Sequence, residues 1–548
     1  MQSSDGNLVI GAFCFSTSVK SLCQKECVTQ RTIRICIALL CLGLSACGVV
    51  RSPDWRLVRQ YEAGQSIEKR LADIDVSYAK GEVTEKLVAE EQALLQAWLD
   101  GIEGKSGELS RAILEEHAVL KWEGFEPKEF ARLLPSPRIR PRFTEQKRVR
   151  AGIGLPVAIH VENPDSSILM ELAGRTYAAT VRLNYRGEKK PELVIINSLK
   201  REVTMVGGRS VALAADFSSH ADLFWEVSSL DDEGIAAMFR PGGLKRRPQL
   251  YLTEDYDPEK IPLVLVHGLT SSPSIYAPLG SELRSRKALR DRYQIWHFAY
   301  PTGTPWINSA SSFRDEIRIH RKLLDPAGTN SNWDNMLVVG HSMGGLVTRT
   351  AVSENSKELY EVVFDRPLDQ LRGSQRKIEK IRRSLLAEPL PEPKRVIFIA
   401  TPHRGSSMAD WGIIHLLSSF ILLPADLVQD TFDVITLNQF AVSRPMQTLD
   451  RLPTGLDTLS PRSPFIKALD KMQIRDNVKV HSIVGVKDFS LFGGLGDGIV
   501  PYSSAHLDDV ETELVVDEPH SMVEKPEVVA EVIRLLEVHA GLGEPAAQ

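Results

Sequence analysis

Beyond residue 47 this chain has no cysteine. All six, Cys14, Cys23, Cys27, Cys36, Cys41 and Cys47, fall in its first 47 positions, so everything after them folds without a disulfide and depends on packing for its stability. Charge of one sign is missing too. Sixty-six basic against 71 acidic side chains leave a net charge of −5 and a pI near 6.3, a balance that gives no footing for a nucleic-acid partner. The two strongly apolar runs, Ile35–Leu44 and Trp411–Leu423, are shorter than the ~20 residues that cross a bilayer. There is no internal repeat. What remains is 43% hydrophobic and 25% charged, ordinary for a folded protein. A length of 548 residues exceeds one core, so two or three domains are expected.

The most informative stretch is Gly340-His341-Ser342-Met343-Gly344. At ordinary glycine and serine frequencies a chain this long shows Gly-x-Ser-x-Gly by chance roughly one time in five, so its setting carries the weight. An apolar, strand-like run, Met336–Val339, precedes it, and a helix-like run, Leu346–Val352, follows. Strand, sharp turn and helix together make a nucleophile elbow. Side chains at Gly340 or Gly344 would meet the neighbouring strand or helix, and the Ser342 hydroxyl is left exposed at the strand's end.

A serine hydroxyl needs a histidine to take its proton, an acid to orient that histidine, and N–H donors where oxyanion charge develops. The run Ile261–Val266 reads as a buried strand leading into His267-Gly268-Leu269-Thr270-Ser271-Ser272-Pro273. Gly268 allows the backbone a close approach. The N–H groups of Leu269 and of Met343 are the expected oxyanion donors. The acid is sought after the strand His481–Val486, where Asp488 follows directly and Asp497 sits in Gly496-Asp497-Gly498-Ile499-Val500-Pro501. Asp497 is preferred, because flanking glycines permit a tight turn that aims a carboxylate inward. The histidine comes last in such an order. His520 lies on the loop between a short strand, Leu514–Val516, and a helix beginning near Pro526. Its rivals fit less well: His506 precedes that strand, and His539 shares a helix with Val529, Ile533 and Leu536 at helical spacing.

With these residues named, a resemblance can be stated. Residues from roughly 255 to 540 resemble serine lipases and esterases of the α/β-hydrolase superfamily, including bacterial lipases and GPI-inositol-deacylase-like proteins. Four blocks carry it: Val266-His267-Gly268-Leu269, Gly340-His341-Ser342-Met343-Gly344-Gly345, Ala400-Thr401-Pro402-His403-Arg404-Gly405-Ser406 and Asp497-Gly498-Ile499-Val500-Pro501. The resemblance implies a mostly parallel sheet with helices on both faces, ester hydrolysis by Ser342, His520 and Asp497, no metal and no organic cofactor. It leaves His403 a structural or pocket-lining residue.

Arg31 and Arg34 precede the apolar run Ile35–Leu44, and Leu44-Ser45-Ala46-Cys47-Gly48 follows, the layout of a secretory leader. It resembles a bacterial lipobox, which implies a signal peptide over 1–47, lipid on Cys47 and, with Gly48 next, an outer-membrane destination. The first thirty residues are long for a leader, and the expected translation start is later.

Residues 48–145 read as helices and a linker, with Val83, Leu87, Leu94, Leu95, Trp98 and Leu99 at helical spacing. The basic, proline-broken stretch 135–142 is expected to cross in extended form with its arginines solvated. Residues 146–250 carry short β-type runs (157–161, 179–185, 193–196, 211–215) and read as a small sandwich. Residues 251–548 are the expected catalytic domain, interrupted at about 360–393 by a solvated charged helix and at about 408–465 by a candidate lid around Trp411–Leu423. The expected protein is a lipid-anchored envelope esterase or lipase acting on an ester or lipid, its protein partners open. An acyltransferase or thioesterase using the same residues, and a non-catalytic envelope scaffold, are the alternatives.

Overall fold

The computed structural model describes residues 66–543 except 104–108, 128–129, 163–173, 186–189, 229–247, 355–356, 387, 407–432, 448–452 and 488–494. Cys47, the other cysteines, Asp488 and the Trp411–Leu423 run lie outside the described residues. Among those described, no helix is long and apolar enough to cross a membrane.

Three helices come first: α1 (Ile67–Lys80), α2 (Glu85–Ile102) and α3 (Arg111–His117). Each begins at a hydroxyl cap, Ser66, Thr84 and Ser110, which accepts a backbone N–H from the first turn. Val83 falls before the cap of α2 and is exposed, so it is not part of the apolar stripe that continues through Leu94, Leu95, Trp98 and Leu99. That stripe covers a five-stranded mixed sheet in the order β1-β5-β4-β3-β2: β1 (Val119–Glu123), β2 (Arg132–Pro135), β3 (Leu155–Val161), β4 (Arg175–Asn184) and β5 (Glu192–Asn197).

The sandwich expectation is corrected here. Along β3, Val157 and Ile159 pack under α1 and α2, while Ala158 between them meets Leu223 of α4 (Ser219–Ser228) on the opposite face. The main covering layers are helices, and the only strands packed onto this sheet among the described residues are short two-stranded pairs, one of which adds Val206 and Val211 to the core under α1 and α2. Only the fourth of the expected β runs differs in kind, dividing between a hairpin strand, Arg209–Ala212, and a short bridge at Ala215–Asp216. The stretch 135–142 is not wholly solvated either: a short turn, Ser136–Arg138, brings Arg138 onto Asp100 and Glu103 of the preceding helical segment.

The second sheet has seven strands in the order β6-β8-β7-β9-β10-β11-β12. They are β6 (Gln249–Leu252), β7 (Ile261–Val266), β8 (Tyr293–Ala299), β9 (Met336–His341), β10 (Pro393–Ile399), β11 (Lys479–Gly485) and β12 (Thr512–Val516). Only β6 runs antiparallel. All six residues of β7 are buried, as a strand covered on both faces requires. Its Val264 and Val266 face one core with α6 (Trp306–Leu324) and α7 (Met343–Val352), and Leu263 and Leu265 face another with α5 (Ala277–Ser285) and α9 (Pro526–His539). Each such buried side chain contributes roughly 1.5–3 kcal/mol. The charged helix α8 (Gln375–Leu385) is largely exposed, with Ile378, Ile381 and Leu385 turned onto the first of these cores.

This sheet is an α/β-hydrolase sheet. The chain leaves β7 for β8 on one side, then returns to place β9 on the other. Between β7 and β9 the winding direction therefore reverses, and the crevice beyond their carboxyl ends is where ligands gather in open sheets of this kind.

Candidate active site

Ser342 stands at that crevice, between the end of β9 and the start of α7. Its backbone is at φ 53° and ψ −125°, a conformation that costs a residue with a side chain on the order of 1–3 kcal/mol. Surrounding contacts enforce it. The Ser342 N–H donates to Ile399 O of β10 at 2.9 Å. Glycines on either side let the turn close: a Cβ on Gly344 would overlap the carbonyl oxygens of Val266 and His267, and one on Gly340 would lie 2.7 Å from Gly345 Cα and from Thr348 Oγ1. Two further non-glycine residues with positive φ, Thr270 and Ala400, follow β7 and β10 at the same edge.

The loop after β7 presses against the serine. A Cβ on Gly268 would sit 2.9 Å from Ser342 Cβ, so glycine is what permits this approach. Two buried tyrosines fasten the loop's entry: the Tyr276 hydroxyl donates to Val266 O at 3.0 Å, and the Tyr300 hydroxyl to His267 O at 2.7 Å, with the Tyr300 ring stacked on His267 at 4.6 Å between centroids. Burial pushes the His267 imidazole down to about 4 and the Tyr300 phenol up, so both stay neutral at working pH. The N–H groups of Leu269 and Met343 donate to no other protein group among the described residues.

His520 lies on the loop after β12. Its Nδ1–H donates to Asp497 Oδ2 at 2.7 Å, and the Ser342 hydroxyl is 2.9 Å from its Nε2. The backbone of His520 is held as well, its N–H donating to Asp497 O at 3.1 Å. Asp497 is 3% exposed. Its other oxygen, Oδ1, accepts the N–H groups of Ile499 and Val500 at 2.9 and 2.7 Å, a turn that Gly498 makes possible at φ 91°. Both carboxylate oxygens are thereby occupied, and the acid has one orientation.

The structure thus brings together Ser342, Asp497, His520, the Gly268–Leu269 loop and Met343, drawn from the ends of β7, β9, β11 and β12. The rival histidines stand elsewhere. His506 bonds Glu513, which pushes its imidazole up. His539, at the end of α9, stacks on Tyr293 and bonds Asn335 O. His403 is fully buried, edge-on to Phe398 at 4.7 Å. Sequence reasoning passed over Tyr276, Tyr300 and the side chain of His341. Gly345, beneath Thr401, lay within a quoted block without being singled out. No group of three or more potential metal ligands occurs among the described residues.

Residues 263–532 match the sequence model of the alpha/beta hydrolase family. Among solved structures, the chain is similar to a Bacillus licheniformis lipase in its mature form at 17% identity, covering 53% of this chain and 99% of that one, with a TM-score of 0.32. It is also similar to a Staphylococcus hyicus lipase at 16% identity, covering 53% and 97%, TM-score 0.33. Against Aspergillus fumigatus lipase B the identity is 14%, covering 55% of this chain and 58% of that one, TM-score 0.29. No curated protein matches the chain.

Proposed function

We propose, from an α/β-hydrolase domain with this relay at its sheet edge, that the protein is a serine hydrolase of carboxylic esters, its substrates lipid-like. One observation supports the reading above the rest: the unbroken path from Asp497 Oδ2 through the His520 imidazole to Ser342 Oγ, with links of 2.7 and 2.9 Å.

In this mechanism Ser342 Oγ attacks the ester carbonyl carbon while its proton passes to His520 Nε2. Asp497 keeps the imidazole in the tautomer that has Nε2 free and stabilises the imidazolium that forms. The carbonyl oxygen, now an oxyanion, receives the N–H groups of Leu269 and Met343. Losing one such donor typically costs ~3 kcal/mol of barrier. Collapse breaks the bond to the alcohol oxygen, which takes the proton from His520. Water then gives a proton to His520 and adds to the acyl-enzyme. Its breakdown releases the carboxylic acid and restores the Ser342 hydroxyl.

The sequence Leu44-Ser45-Ala46-Cys47-Gly48 after a basic and an apolar stretch, which resembles a lipobox, supports a second part of the proposal, attachment to a cell envelope through lipid on Cys47. A fluorophosphonate probe tests the catalytic part: wild-type protein labels and Ser342→Ala does not, and an unlabelled wild type would overturn the reading. A rate series on p-nitrophenyl esters tests the substrate class, with rates rising beyond four-carbon acyl groups expected and a two- to four-carbon optimum counting against lipid-like substrates. Mass spectrometry of the processed N-terminus tests the anchor.

A further inference from the structure

His341 occupies the position before the nucleophile and is 4% exposed. Nothing in the mechanism above uses its side chain. Its Nε2 lies 3.1 Å from the carbonyl oxygen of His520, and the two rings stand 5.1 Å apart at 40°. Its other nitrogen, Nδ1, has no partner among the described residues and lies beneath the oxyanion loop, where a Cβ on Gly268 would be 3.0 Å from it.

We propose that His341 is a positioning residue, whose Nε2–H donates to the backbone carbonyl of His520 and holds the base within reach of Ser342. The inference rests on the roles of Ser342 and His520 proposed above.

Three features carry it. First, the tautomer follows from the contacts. A proton on Nδ1 instead would bury an N–H with nothing to receive it and set a ring lone pair against a carbonyl oxygen, at a cost of ~1–3 kcal/mol for the orphaned donor alone. Burial, together with the neighbouring His520 imidazole, pushes His341 down to about 3, so it stays neutral and keeps that one proton. Second, His341 is the last residue of β9 and moves only with the strand that also delivers Ser342. The bond therefore ties the base to the element carrying the nucleophile. Third, His520 belongs to a loop, and the helix after it begins only at Pro526. Its N–H is anchored to Asp497 O and its carbonyl to His341. Two backbone anchors on adjacent peptide groups fix the direction of the side chain between them. A merely space-filling imidazole would place no donor there.

The test compares wild type with His341→Leu and His341→Gln. A glutamine amide reaches the position of Nε2 and can donate; leucine fills volume and cannot. Ester hydrolysis, the rate of fluorophosphonate labelling and the melting temperature are measured on each. For His341→Leu, kcat per folded molecule should fall at least ~10-fold, as displacement of a reacting group implies, with KM unchanged and labelling slowed in parallel. His341→Gln should recover most of both rates. Should the leucine variant fail to fold, His341→Asn replaces it, since its amide stops one methylene short. Wild-type kcat in folded His341→Leu or His341→Asn would overturn the proposal, as would a folded His341→Gln no faster than either. A wild type that neither hydrolyses esters nor labels would refute the underlying reading instead, and is seen without any variant.

Discussion

Arg182 and Glu91, between the five-stranded sheet and its covering helices, are buried as deeply as Ser342 and Asp497 at the edge of the seven-stranded sheet: 6 and 2% exposed against 7 and 3%. The two groups are held differently. Glu91 accepts from Arg182, from the Tyr78 hydroxyl and from the Gly154 N–H, and Arg182 also reaches Asp75. Every bond in that network closes on another part of it, and a single residue with a side chain, Glu145 in the stretch between β2 and β3, adopts positive φ on that side among the described residues. At the seven-stranded edge, three such residues gather, two backbone N–H groups stay free, and a serine hydroxyl points at an imidazole. Burial of polar groups alone therefore does not set the proposed site apart. Strain together with unspent donors does, because a fold keeps them only where the surroundings hold them in place.

The comparison breaks most visibly at Asp497. Replacing it with Asn preserves size and an oxygen for the Ile499 and Val500 N–H groups, but removes the acceptor that fixes the His520 tautomer. A fall in kcat of about 10⁴-fold with little change in melting temperature is expected. Equal loss of stability and rate would make the residue a structural one, like its counterparts in the other sheet. Arg182→Leu should do the reverse. It leaves Glu91 a buried carboxylate without its cation, held only by the Tyr78 hydroxyl and the Gly154 N–H, a loss that typically costs about 3–5 kcal/mol, and kcat per folded molecule should hold. Chemical denaturation with activity measured alongside checks both halves of that statement.

Acid should sharpen the contrast. Burial pushes His267 to about 4 and His297, His341 and His481 each to about 3, all on or beside the seven-stranded sheet, while beside the five-stranded sheet burial pushes His220 of α4 well down in the same way. These groups are neutral when folded, while unfolded imidazoles titrate near 6.5. The stability they contribute is fully present above pH 6.5 and is lost as pH falls toward 3, since only the unfolded chain takes up the protons. The slope is up to about 1.4 kcal/mol per pH unit for each. Melting temperatures from pH 8 to 4.5 should drop accordingly, and His297→Gln should flatten the drop. A flat profile in wild type would mean that water reaches these rings.

Much of this contrast could be read before any coordinates. Ser342 sits where an apolar run ends and a turn begins, Asp497 and His520 sit in loops beyond such runs, and β7 is a six-residue apolar run bounded by turn signals that reads as a strand covered on both faces. The five-stranded sheet was harder. Its alternating strands look alike whether the facing layer is a second sheet or a helix, and the covering stripe of α2 lies some sixty residues earlier in the chain. Arg138 reads as a solvated charge because Asp100 and Glu103 are distant in sequence. Tyr276 and His341 escape for a related reason: their bonds run to backbone carbonyls, and a carbonyl leaves no trace in a residue pattern.

Tyr300→Phe makes the smallest and most discriminating change. It keeps the ring stacked on His267 and removes only the hydroxyl that donates to the His267 carbonyl, leaving a buried acceptor unpaired at a cost of about 1–3 kcal/mol. That carbonyl belongs to the residue before Gly268, so relaxation at this point shifts the Leu269 N–H. A loss of kcat of about 10-fold, with KM nearly constant, is the expected result, because the donor acts on charge present only in the transition state. Loss of stability with kcat intact would show that the tyrosine braces the loop without setting its aim, and would move it to the closed kind of network that Arg182 and Glu91 represent.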